Sequence, residues 1–241
     1  MTTKSDQWNS ILKLRADDIK KQFGVYGHYY DYRLDGDIYP CRSMLDLVAH
    51  DIAPLNPSDL ISMDVDAYCT MMNPGSSKAS QSGYKPVCVD NVIEIATRRE
   101  LVPAIPDNTQ YQVLKVAIAM GWQHVRILNL SDLRDARSTQ FMTKAKALRG
   151  TPNGDFHLLW SQSRKTDRAT LLCPDKKPML VGWGRNPELL PMIEMCYPLI
   201  EDWNPMGIQP DNNQLLFAHP SPMMQAKKDE WLVSILDQLT T

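Results

Sequence analysis

The chain has 241 residues, 43% of them hydrophobic and 22% charged, with a net charge of −2. That length permits one large α/β domain, or a domain with an appendage, and either can bury a real core. The composition is that of an ordinary globular chain: no apolar run nears the roughly 18 residues a membrane helix needs, and the overall charge does not advertise nucleic-acid binding. The polar start, MTTKSDQWNS, lacks a signal-peptide core, so a cytoplasmic location is expected. Cys41, Cys69, Cys88, Cys173 and Cys196 are scattered, with no C-x-x-C pair. Zinc and iron–sulfur spacings are therefore missing, and reduced thiols with no metal and no cofactor are expected. Charge is uneven along the chain: residues 126–185 carry 12 Lys and Arg against 5 Asp and Glu. Such a segment can serve a phosphate backbone locally, or simply form a solvated face.

Residues 5–23 predict an amphipathic helix through Trp8, Ile11, Leu12 and Ile19. A Tyr-rich loop, VYGHYYDYRLDGDIYP, follows, then a second helix over 41–54 that ends before the turn and cap LNPSD. Residues 1–62 thus read as a helical extension of a domain spanning 63–241. From Val65 the pattern becomes βα. VDAYCTMM is a strand and SSKASQSGYKP a loop; the stretch to Asp107 has no clear pattern. NTQYQVLKVAIAMGW predicts a helix, HVRILNL a strand and 139–149 a helix. FHLLW fits either a strand or a helix start. PMLVGWG predicts a third strand, NPELLPMIEMCYPL a helix with an Asn cap, QLLFAH a fourth strand and PMMQAKKDEWLVSILDQL the closing helix. Alternating elements of this kind predict a three-layer αβα fold with a four-stranded, mainly parallel sheet.

Two short motifs carry the chemistry. MMNPGSS at Met71–Ser77 and AHPSPMM at Ala218–Met224 each follow an apolar run. Asn73 and His219 would stand at the carboxyl ends of two strands, where open α/β sheets hold their ligands. An amide and an imidazole would then face one crevice, a plausible place to break a bond to a leaving group.

With PDNTQYQVLKVAIAMGW, RILNLSDLR and PMLVGWG between them, these motifs resemble the uracil-DNA glycosylase superfamily in order from Val65 to Leu239. MMNPG is similar to the G-I-N-P-G motif of the mismatch-specific branch, where the uracil-specific branch has Asp for Asn. HPSPMM is similar to H-P-S-P-L-S. The chain also resembles an uncharacterised family with M-L-N-P-S, N-L-F and W-G in the same order. The resemblance implies a uracil-DNA glycosylase-like fold and a monofunctional DNA glycosylase, favoured as a monomer, that acts on duplex DNA with a flipped base or on a single strand.

By the same resemblance, Asn73 positions the attacking water and His219 donates a hydrogen bond to the departing base. Asn129 reads the base edge beside Met72, and Tyr84 stacks on the base. Met223 is the apolar wedge that fills the hole left by the extruded nucleotide. Ser76, Ser77 and Ser221 would contact phosphates. Gly75 stands where the uracil-specific branch has a Tyr that walls off the pyrimidine 5-position. Glycine there implies a 5-substituted base, from thymine-like to a phage-type hypermodified cytosine. Lys78 keeps a Schiff-base lyase open. Met71 and Met224 depart from the family's Gly and Ser. Structural readings stand beside each role: an Asn-Pro turn for Asn73, a strand-end histidine for His219, loop satisfaction for Asn129, packing for Tyr84, a core position for Met223. A non-catalytic nucleic-acid-binding module, or a hydrolase of free modified nucleosides or nucleotides, are the alternative functions.

Overall fold

Asp35 and Gly36 both take positive φ, 50° and 88°. Two consecutive left-handed residues make the tight turn that matches right-twisted strands, and Asp-Gly is a preferred pair for it. The turn joins Phe23–Leu34 (β1) to Asp37–Ala49 (β2) in one long antiparallel hairpin. The computed structural model describes residues 4–210 and 212–241 of the chain; residues 1–3 of the expected extension lie outside it. The Tyr-rich segment and residues 41–49 are strands, not the expected loop and helix.

The hairpin lies in the middle of the sheet. The remaining strands are Ala67–Met71 (β3), Lys78–Ala79 (β4), Val87–Val89 (β5), Val102–Ile105 (β6), His124–Asn129 (β7) and Met179–Gly182 (β8). Their order is β4-β6-β1-β2-β7-β3-β8, with β5 paired to β1. β7, β3 and β8 run parallel to one another, in register at Met71↔Asn129 and Met71↔Gly182, and β5 runs parallel to β1. The architecture is α/β with a mixed eight-stranded sheet, in place of the expected four-stranded, mainly parallel one. A boundary at residue 62 would cut through this sheet, because β2 pairs with β7. The expected fourth strand is also different. Residues 217–218 reach the sheet edge only through a bridge from Phe217 to Gly184 and a bond from the Ala218 N–H to the Ile208 carbonyl.

Helices cover both faces. Lys4–Leu12 (α1), Ala16–Lys20 (α2), Asn108–Met120 (α4) and Gln225–Thr240 (α8) lie over one. Val92–Thr97 (α3), Ser138–Leu148 (α5), Lys165–Leu171 (α6) and Leu190–Ile200 (α7) belong to the other side. Strand residues alternate between the two cores, as a period of two requires. Ala67, Cys69 and Met71 of β3 join Val113 and Trp231, while Tyr68 joins Phe141 and Ile193. The single helix read over 5–23 is two helices, and FHLLW opens as a short 3-10 turn, Gly154–His157. Helix α4 begins at a capping box made by Asp107 and Gln110 and ends at Gly121, φ 69°.

The two halves of the sheet meet at β2 and β7. There Arg126 Nε and Nη2 donate to the two carboxylate oxygens of Asp46, both at 2.9 Å. Asp46 and Arg126 face each other in the strand register. Burial alone would raise the Asp46 carboxyl, but the Arg126 guanidinium holds it below the usual range. Arg126→Met should leave the buried Asp46 carboxylate without its guanidinium, with only His124 Nε2 beside it at 3.1 Å, and cost about 3–5 kcal/mol in urea unfolding, much of it recovered in Arg126→Met/Asp46→Leu. A single variant as stable as the wild type would refute this.

Acid should weaken the fold through two histidines. Burial pushes both His28 and His157 down from 6.5 to about 3. Between those values the unfolded chain binds the protons that the folded chain refuses. The stabilisation is full above pH ~6.5 and is lost as pH falls toward 3, by about 1.4 kcal/mol per pH unit for each histidine. Urea unfolding at pH 7 and pH 5 should show the loss, with a slope shallower by about one proton in His157→Gln.

Candidate functional site

The parallel strands β7, β3 and β8 end together, and a cavity of about 410 Å³ opens at their carboxyl ends. Asn73, Gly75, Asn129 and His219 all line it. The two sequence motifs, far apart in the chain, therefore share one crevice. Its volume is within the range of small-molecule sites.

Each polar side chain is held by its own local structure. Asn73 Nδ2 donates to the main-chain carbonyls of Leu133, at 3.2 Å, and Asp135, at 2.8 Å. That fixes the amide orientation and leaves Oδ1 as the atom outside both bonds. Asn129 ends β7 and is fully buried, yet neither its Oδ1 nor its Nδ2 has a partner. Its main-chain carbonyl is taken by Trp160 Nε1 at 2.9 Å. A buried amide with both ends unsatisfied costs stability unless something else completes it.

His219 sits in a turn that bonds itself. The Ser221 main-chain N–H donates to His219 Nδ1 at 3.1 Å. An accepting Nδ1 leaves the proton of the neutral ring on Nε2. Burial lowers the imidazole below its usual 6.5, against an opposing pull from Asp107. The ring that lines the cavity therefore carries its proton on Nε2. Pro220 fixes the turn against β8, where a Cβ on Gly182 would come within 2.7 Å of Pro220 Cδ.

Not every predicted residue reaches the cavity. Met72, Ser76 and Ser221 line it. Ser77 does not: it is buried, and its Oγ donates to the Ile105 carbonyl at 3.2 Å. Tyr84 packs edge-on against Tyr29, with ring centroids 6.3 Å apart, and faces a neighbouring hollow with Lys78. Neither stacking by Tyr84 nor a covalent role for Lys78 is available in the main cavity. Met223 is fully exposed, so its core reading falls. Gly75 needs its glycine for conformation, at φ 63°, since an added Cβ would meet only Asp107 Oδ2 at 3.5 Å.

Two cavity residues escaped the sequence reading. Asp107 caps α4, its Oδ1 accepting from the Thr109 and Gln110 N–H groups. Its other oxygen faces Gly75. The D-x-x-Q capping box was a visible signal for its position, though not for its place in a site. Arg42 comes from β2 and is buried. A segment misread as a helix gave no reason to look there. Burial lowers its guanidinium, while Tyr29 and Asp107 support the charge; an arginine still remains protonated.

The cation excess over 126–185 is partly internal. Arg126 pairs with Asp46, Arg164 with Asp132 and Asp167, and Arg168 donates to the Leu159 and Ser161 carbonyls. Among the described residues no group of three His, Cys, Asp or Glu side chains could hold a metal, and no helix is long and apolar enough to cross a membrane. No protein-family model, curated protein or solved structure matches the chain.

Gly182→Ala tests how the His219 turn is held. The added methyl must displace the Pro220 ring, so urea unfolding should show a loss of about 1–3 kcal/mol. The His219 ring resonances should move in the same variant. Unchanged stability and unchanged resonances would show that Pro220 does not seat on Gly182.

Proposed function

We propose that this chain is a monofunctional DNA glycosylase that hydrolyses the N-glycosidic bond of a 5-substituted pyrimidine. The observation that carries the reading is Asn129: a fully buried amide at a strand end, both polar atoms unpartnered, lining a cavity beside His219 and Asn73. A pyrimidine edge presents adjacent donors and acceptors, which is what such an amide lacks. The motif order shared with the uracil-DNA glycosylase superfamily supports the same conclusion.

The nucleotide must first leave the stack, at a cost of a few kcal/mol. Met223, exposed beside the His219 turn, is the wedge that fills the gap. In the cavity the C1′–N bond breaks with its electron pair on the base, leaving an oxocarbenium-like sugar. His219 Nε2–H donates to the departing base. Water then bonds C1′. Asn73 is too weak a base to deprotonate that water and serves to orient it. The proton passes to Asp107, whose free oxygen faces the same space. Asp107 supplies the carboxylate that the Asn73 motif lacks, and Gly75 leaves the mouth open beside the pyrimidine 5-position.

Duplexes carrying uracil, mismatched thymine or 5-modified cytosines, treated with alkali after incubation, test this. Breaks should appear at a 5-substituted pyrimidine. Asp107→Asn should slow them by about 10²–10⁴-fold and His219→Ala by about 10²–10³-fold. Salt-sensitive binding without breaks would mark a binding module instead, and release of base from free nucleotides alone would mark a nucleotide hydrolase.

A further inference from the structure

Arg42 is an anomaly among the buried arginines. Arg126 and Arg164 hold carboxylates, and Arg168 is satisfied by two carbonyls. Arg42 is 1% exposed, yet its Nε and Nη1 have no partner and no described carboxylate forms an ion pair with it. A buried charge without an ion-pair partner is costly unless something completes it. Asp107 does not neutralise it, because it lies beyond ion-pairing distance and its Oδ1 is committed to α4. Tyr29, its cross-strand neighbour, is a phenol and not a carboxylate.

The backbone is shaped to aim this side chain. His28 pairs with Met44 but Tyr29 pairs with Arg42, so Ser43 is an extra residue in β2. Its Oγ bonds His28 Nδ1 at 2.7 Å. A bulge reverses the alternation beyond it. Leu45 and Leu47 share the core that contains Ile127, and unbroken alternation would put Cys41 on that face. The bulge sends Cys41 to the opposite core and turns Arg42 to the face of Ile127 and Asn129, into the cavity.

We propose that Arg42 stabilises the negative charge on the pyrimidine as it leaves the sugar, with Asn129 holding the same base edge. This rests on the glycosylase reading. The electron pair of the C1′–N bond departs with the base, and the resulting pyrimidinate is reprotonated by solvent after release. His219 is neutral and contributes one hydrogen bond; Arg42 contributes a full charge from a side chain that is itself buried. The cavity therefore prefers an anionic base to a neutral one.

Affinities of 5-nitrouracil, an anion at neutral pH, and of thymine, neutral and of similar size, test this by calorimetry. Wild-type protein should favour 5-nitrouracil by roughly 10- to 100-fold. Arg42→Gln should abolish the preference and Arg42→Lys should keep part of it. In single-turnover excision, Arg42→Gln should also make the rate depend more steeply on the acidity of the leaving base. Equal wild-type affinities would overturn the proposal even if Arg42→Gln failed to fold. So would an undiminished preference in Arg42→Gln, or displacement of 5-nitrouracil by inorganic phosphate at equal affinity. If the glycosylase reading alone were wrong, no abasic sites would form while the Arg42-dependent preference for the anion persisted.

Discussion

The bidentate pair between Asp46 and Arg126 lies across the β2–β7 ladder, where the two halves of the sheet meet. On one side lie the antiparallel strands of the hairpin, on the other the three parallel strands that carry Asn73 and Asn129. Arg126 also donates to the carbonyls of Leu60 and Leu171, tying the loop before β3 and the end of α6 to the same point. Both partners are buried, so the pair has no solvated alternative in the folded state. Its contribution is positional: it sets β2 against β7 in one register, and that register brings Arg42 to the same cavity as Asn129.

The parallel half of the fold was legible from the sequence. β3, β7 and β8 are short apolar runs, and α4 announces itself with a capping box and a terminal glycine. The hairpin was not. Residues 41–49 of β2 are buried on both faces, so they show no alternation, and a continuous apolar run looks alike in a buried strand and a buried helix. The Asp35-Gly36 pair was the one local signal that argued for strands, and the surrounding tyrosines obscured it. QLLFAH failed for the opposite reason. It is apolar enough for a strand, but the chain around Met206 already occupies the edge of β8.

The site was legible to the same extent. Residues contributed by the parallel half, Asn73, Asn129 and the His219 turn, converge as their positions at strand ends suggested. The misses fall where loops decide. Tyr84 follows a turn that leads it to Tyr29, and Ser77 turns inward to close β4 against β6. Arg42 depended on a one-residue irregularity, which no periodic pattern reveals. The cavity thus combines the His219 imidazole and the Asn73 and Asn129 amides from the parallel half of the sheet with the Arg42 cation and the Asp107 carboxylate from the antiparallel half.

The central position of the hairpin also matters while the chain is being made. β1 and β2 emerge early, but the partner of β2 lies far downstream, with Leu47 opposite Val125. At about 5–20 residues per second, the hairpin must wait roughly 4–16 s for β7 to leave the ribosome. Through that interval the apolar faces and the free edge of β2 are exposed, and Asp46 has no partner. An ionised carboxylate on an unpaired edge discourages pairing with other chains. The same residue that later pairs across the sheet thus places a charge on the open edge of β2 until β7 arrives.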